Sequence, residues 1–205
     1  MHAMNLFDKT FEHRDALLSA ALNEFTARGY DNASINDILT RAGMSKGQFY
    51  YHFGNKEALY LALIGVLIEH KQTFLATTMT PADFQQDIFG ILKAQVRYGL
   101  RFAREYPAIN RFAESFLRER SNPIYQTALE HYNFEDNDAL GRLLDAAILR
   151  GEFRADLPPE FIKRTVGHML THAAELAESE QVEDFEPLLD NLIEFMRSGL
   201  TDRQS

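Results

Sequence analysis

Cysteine is absent from the 205 residues, which excludes a disulfide framework, a thiolate metal site and a cysteine nucleophile. No 18 consecutive residues are apolar, and the N-terminus has no basic-then-apolar signal pattern. A soluble, cytoplasmic protein is therefore expected. There is no glycine-rich phosphate loop, no G-x-S-x-G elbow and no convincing pair of carboxylates, so nothing points to an enzyme or a cofactor. No repeat, low-complexity segment or Gly/Ser/Pro-rich linker divides the chain. Basic residues are outnumbered by acidic ones, 21 against 30, for a net charge of −9. That balance argues against non-specific nucleic-acid binding by the whole surface. The imbalance is uneven. Residues 1–54 hold five Lys or Arg and six Asp or Glu, a net of −1, and the remaining −8 follows them.

What is present centres on GMSKGQFYYHFGNKEALY, from Gly43 to Tyr60. Ser45 and Gln48 have the spacing of an S-x-x-Q capping box, which predicts a helix start at Ser45. At about 100° per residue, Phe49 and Phe53 share one face, the natural buried one. Gly47 and Tyr51 lie opposite, with Gln48 and Tyr50 on the shoulders. A glycine inside a helix costs roughly 1 kcal/mol against alanine. Away from the buried face, Gly47 instead lets the backbone approach an external partner closely. Lys46, Gln48, Tyr50, Tyr51 and His52 offer donors to phosphates and a side chain able to read base edges, which suits duplex DNA. The bland alternative is a partly exposed helix whose tyrosines pack internally.

The preceding residues fit a helix-turn-helix. Ser34 is an N-cap with Asp37 in the first turn, Ile35, Ile38 and Leu39 form an apolar face, and Gly43 ends that helix before a very short turn. Further upstream, Leu17, Leu18, Ala21, Leu22 and Phe25 recur at helical spacing, with Gly29 as a stop signal. Residues 1–10 read as a short mobile arm. This string resembles the DNA-binding domain of the TetR family of bacterial transcriptional regulators. The resemblance lies in Phe25, Gly29, Tyr30, Ile38, Ala42 and Gly43, then Ser45, Lys46, Gly47, Tyr50, His52 and Phe53, and finally Lys56, Glu57 and Leu59. It covers about residues 14–60, and RGEFRADLPPE from Arg150 to Glu160 is similar to a connector that often precedes the family's dimerisation helices.

The resemblance implies an all-α chain: a helix-turn-helix domain over 1–54, joined by a long helix to a ligand-binding and dimerisation domain over 55–205. It implies a homodimeric repressor that a small molecule releases from a palindromic operator. The DNA-binding set is then Ser45, Lys46, Gly47, Gln48, Tyr50, Tyr51, His52 and Lys56, with Tyr50 and Lys56 as groove and phosphate contacts. The long helix starts at an Asn55 N-cap and is apolar nearly all round, so it should be buried on several sides. A break follows at Thr80 and Pro81. Helices are expected over 83–105 and from Ala108, after Pro123, over 136–150, from Pro158 to about Ser179, and over 182–200.

The middle of the chain is rich in aromatics, which reads either as ordinary core or as an apolar small-molecule pocket. The pocket candidates are Tyr98, Phe102, Phe112, Phe116, Tyr125, His168, Met169 and His172. The last two helices carry more than one apolar stripe and small residues at Gly167, Ala173, Ala174 and Ala177. Val166, Leu170, Ala173, Leu188, Leu192, Phe195 and Met196 are the candidates for a two-fold interface, with Phe185 on the same final helix. His168, His172 and Glu175, at i, i+4 and i+7, would share one helical face. Structural histidines at a helix interface are the commoner use of such a pattern, and no metal is assigned. The alternative readings are a helical protein-interaction module without operator binding and a metal-responsive regulator.

Overall fold

The computed structural model describes residues 6–133, 139–176 and 182–202. Ten α-helices and no strand occur among them, so the chain is all-α. Residues 1–5 and Ala177 lie outside the described residues, as do the side chains of Ala174, Glu175 and Phe185. The chain packs as two compact units, one of residues 1–77 with 102–135 and one of residues 78–101 with 136–205.

In the first unit, α1 (Arg14–Asn32) buries Leu17, Ala21, Leu22 and Phe25. Its backbone leaves helical values at Gly29, where φ is 70°, a left-handed conformation that glycine adopts without a Cβ penalty. Helix α2 (Ile35–Ala42) starts where Ser34 Oγ accepts the Asp37 N–H, and it ends at Gly43, φ 66°. Helix α3 (Lys46–His52) carries the full capping box between Ser45 and Gln48. Helix α4 (Lys56–Thr78) starts where the Asn55 side chain accepts the Ala58 N–H at 2.7 Å. Its length and apolar composition match those of a membrane span, but half of its most apolar stretch is buried inside the protein. Helix α6 (Pro107–Arg118) packs against α1, and α7 (Pro123–His131) starts from an Asn122 cap.

One feature of this unit departs from the expectations and another was not anticipated by them. The described part of the expected arm is packed: Phe7 is 1% exposed, 5.1 Å from the Phe53 ring, and Arg14 Nε donates to its carbonyl at 2.6 Å. Burying a phenyl ring is worth about 1.5–3 kcal/mol, which offsets the ordering of a few residues. The other feature is Tyr132, whose hydroxyl donates to the Leu61 carbonyl of α4 at 2.7 Å. Burial pushes this phenol up to about 12. A folded-state value above the unfolded one makes the contribution complete below pH 10 and lost as pH rises from 10 to 12. Tyrosinate absorbance should therefore show a late ionisation that Tyr132→Phe removes. A titration profile unchanged by that substitution would exclude it.

In the second unit, α5 (Ile88–Glu105) starts later than its hydrophobic pattern suggested. Thr80 and Asp83 close a separate 3-10 turn over Pro81–Phe84, and the Asp87 carboxylate then accepts the Gly90 N–H at 2.8 Å as the real cap. Ile88, Phe89 and Leu92 of α5 meet Leu144 and Ala147 of α8 (Ala139–Leu149), Ile162 and Val166 of α9 (Pro159–Thr171), and Leu189, Leu192, Ile193 and Met196 of α10 (Val182–Leu200). The connector between α8 and α9 is anchored by Phe153 against Phe89 and by the Arg154 N–H on the Leu200 carbonyl at 2.9 Å. Helix α9 is shorter than expected. It stops at Thr171, His172 Nδ1 lies 2.9 Å from the His168 carbonyl, and a 3-10 turn follows over Ala173–Leu176. His168, His172 and Glu175 therefore do not share one continuous helix.

Candidate nucleic-acid interface

The reading helix is built from local chemistry. Gly43 in the left-handed region lets the Met44 N–H reach the Leu39 carbonyl at 3.0 Å, which closes α2 and turns the chain in two residues. The Ser45 hydroxyl accepts the Gln48 N–H, and Gln48 Oε1 accepts from the Ser45 N–H at 3.0 Å and from its hydroxyl at 2.9 Å. Phe49 and Phe53 are both buried, on the face expected for them. On the other side Ser45, Lys46 and Gly47 are exposed, Tyr50 is 58% exposed and Tyr51 85%. The capping box commits the Gln48 carbonyl oxygen, so its NH2 group is what it can offer a base.

His52 and Lys56 are half-buried, each held by a neighbour the sequence did not suggest. The His52 ring stacks on Phe11 at 4.4 Å, with Tyr51 against its edge at 5.0 Å. Lys56 Nζ donates to the Asp31 carbonyl at 3.0 Å and lies 5.0 Å from the Tyr30 ring centre. Partial burial holds its pKa below the ordinary lysine range, opposed by the carboxylates of Asp31, Glu119 and Glu24. Glu24 itself is 1% exposed, a buried acid that ties the helix-turn-helix together. It accepts from the Ser34 N–H at 3.1 Å, from Arg41 at 2.9 Å and from Arg28 at 3.1 Å. The i, i+4 spacing of Glu24 and Arg28 was visible in the sequence, but the approach of Arg41 from α2 was not.

The pocket candidates fall into separate places. In the first unit Phe112 stands edge-on to Tyr60 at 5.5 Å, and Phe116 stacks on Tyr125 at 4.8 Å. Phe102 packs instead with Phe74 and Tyr106. In the second unit the Tyr98 hydroxyl donates to Asp83 at 2.9 Å, the His168 and His172 rings lie 4.1 Å apart, and Met169 leans on the core. Among the interface candidates, Val166, Ala173, Leu192 and Met196 are buried in their own unit, with Leu170 packed against that core and Leu188 half-buried. Phe195 is 66% exposed. Among the described residues of this unit, Phe84, Leu149, Phe161 and Leu176 are exposed apolar side chains as well, none of them among the interface candidates.

A capped helix that presents a bare glycine, two tyrosines and a lysine opposite a buried phenylalanine, after a tight glycine turn, defines a helix-turn-helix DNA-binding protein. Residues 17–63 match the model of the family described as bacterial regulatory proteins, tetR family. An uncharacterized HTH-type transcriptional regulator, YdgC of Bacillus subtilis, is 43% identical over 56 residues, covering 27% of this chain and 29% of its own length. The HTH-type transcriptional repressor AcnR of Corynebacterium glutamicum is 23% identical over 191 residues, 91% of this chain and 95% of AcnR. A TetR family transcriptional regulator from Chloroflexus aurantiacus superimposes with a TM-score of 0.73 at 24% identity, covering 97% of each chain, which shows the shared fold. Residues 17–63 thus carry a DNA-binding domain of the tetR-family type, and the chain shares the all-α fold of a TetR family regulator.

Proposed function

We propose that this chain is a homodimeric repressor of the bacterial cytoplasm that α3 docks on a palindromic operator and a small molecule releases. The observation that carries the reading is the exposure of Gly47, Tyr50 and Tyr51 on a helix whose other face is fully buried. Residues 1–54 serve DNA binding and 55–205 serve the effector and the second subunit, whatever the boundaries of the packing units. One short helix covers too few base pairs for specificity, so two copies spaced about one DNA turn, roughly 34 Å, are needed. Leu149, Phe161, Leu176 and Phe195 supply apolar surface for that pairing. The aromatic side chains of the middle region offer an effector largely apolar contacts. The name of AcnR as a repressor supports the direction of control. The protein acts by binding, and we assign it no reaction.

Selection of bound fragments from a random duplex library tests this reading. A palindromic consensus should emerge, and light scattering at micromolar concentration should give a dimer. No enriched duplex, or a monomer, overturns it. On the selected duplex, Lys56→Ala should weaken binding to all sequences alike and make the salt slope shallower by about one unit. An unchanged slope excludes Lys56 as a phosphate contact. A verified effector should shift operator affinity by about 5- to 150-fold, and operator should shift effector affinity by the same factor.

A further inference from the structure

The turn at residues 29–31 receives two sets of contacts, all within the first unit. From the junction of α6 and α7, Glu119 Oε1 accepts the Tyr30 N–H at 2.8 Å, and Asn122 Nδ2 donates to the Asp31 carboxylate at 2.8 Å. From the start of α4, Lys56 donates to the Asp31 carbonyl and sits by the Tyr30 ring. The break in α1 at Gly29 makes the first set possible. A helix break leaves N–H groups without their usual carbonyl, and Glu119 takes the one of Tyr30. A Cβ on residue 29 would stand 2.7 Å from the same Glu119 oxygen, so the carboxylate reaches the turn only because residue 29 is glycine.

We propose that Glu119 and Asn122 are positioning residues for DNA binding, holding the 29–31 turn that seats the Lys56 ammonium for a phosphate. An ammonium has three donors, so the bond to Asp31 leaves two for the phosphate. After the break only one helical turn remains, closed by the Ala33 N–H on the Gly29 carbonyl at 3.2 Å, so without the bonds from Glu119 and Asn122 its position is no longer fixed and the lysine loses a defined seat. Glu119 also adds negative charge beside the ammonium, which favours its charged form. The inference rests on Lys56 as a phosphate contact.

The test is a double-mutant cycle on the full chain, with affinities for the library-selected duplex read by fluorescence anisotropy. Glu119→Ala should weaken binding about tenfold when Lys56 is present and less than about twofold in a Lys56→Ala background. Glu119→Gln keeps an oxygen for the Tyr30 N–H and removes a charge that repels DNA, so it should stay within about twofold of the parent. Asn122 also caps α7 through its side-chain oxygen. Asn122→Asp keeps that cap but sets a second carboxylate against Asp31, so it should weaken binding in the same Lys56-dependent way if Glu119→Ala does not fold. An equal loss in both backgrounds means general loosening of the head and overturns the inference. So does a Glu119→Ala variant that binds like the parent. A parent that binds while Lys56→Ala matches it sinks the inference alone, whereas a parent that binds no duplex sinks the functional reading with it.

Discussion

Gly47→Leu should abolish duplex binding while leaving helicity and melting temperature nearly unchanged. In the free protein a side chain here meets almost nothing: the nearest heavy atom to a Cβ at Gly47 is Ser45 Oγ at 4.0 Å. Gly47 lies in the first turn of α3, on its exposed side, and leucine is the better helix former by about 0.8–1 kcal/mol. The fold therefore has no reason to object. DNA does, because an isobutyl group on the docking face holds the helix backbone away from base edges that glycine lets it approach. Anisotropy titration and a thermal melt on the same preparation check both halves. A leucine variant that binds as tightly as the parent would show that α3 docks by another face.

Phe49→Ala, two residues along, should do the reverse and destabilise the chain by about 3–5 kcal/mol. The Phe49 side chain is fully buried, with the Phe53 ring stacked at 5.8 Å and Tyr50 edge-on at 5.2 Å. Truncation opens a cavity beneath α3 that its short length gives little means to close. Urea denaturation followed by circular dichroism reads the loss, and binding falls with the folded fraction. A cost below about 1 kcal/mol would mean that the space collapses and Phe49 is not a core anchor. The two variants together separate the face that holds α3 in place from the face it offers.

The same contrast marks what could be read along the chain. Caps and turns are written in three or four consecutive residues, so Ser34, Gly43, Ser45 with Gln48, and Asn55 mark the starts and stops of the helix-turn-helix as expected. The burial of Phe49 and Phe53 followed from helical period alone. Apolar periodicity says less about what covers a stripe. Val166, Ala173, Leu192 and Met196 looked like an intersubunit face, yet they fill their own core; of the interface candidates Phe195 is exposed, as are Phe84, Leu149, Phe161 and Leu176, which were not candidates. A helical wheel records which residues share a side and is silent on which neighbour arrives there. The end of α9 escaped for a related reason: His168 and His172 fit helical spacing, but the His172 ring lies against the His168 carbonyl where the helix stops.

By itself, then, the sequence determined the all-α class, the helix-turn-helix and the exposed side of the reading helix, because each depends on interactions between residues a few positions apart. Only the tertiary structure decided what holds that helix and its lysine in place. Phe11 under His52, Glu24 between α1 and α2, and Glu119 and Asn122 on the 29–31 turn are single side chains without a repeat or a motif. The last two act across 89 and 91 residues of chain. Contacts of that range are set by how packed helices bring their ends together, and no local pattern records where those ends meet.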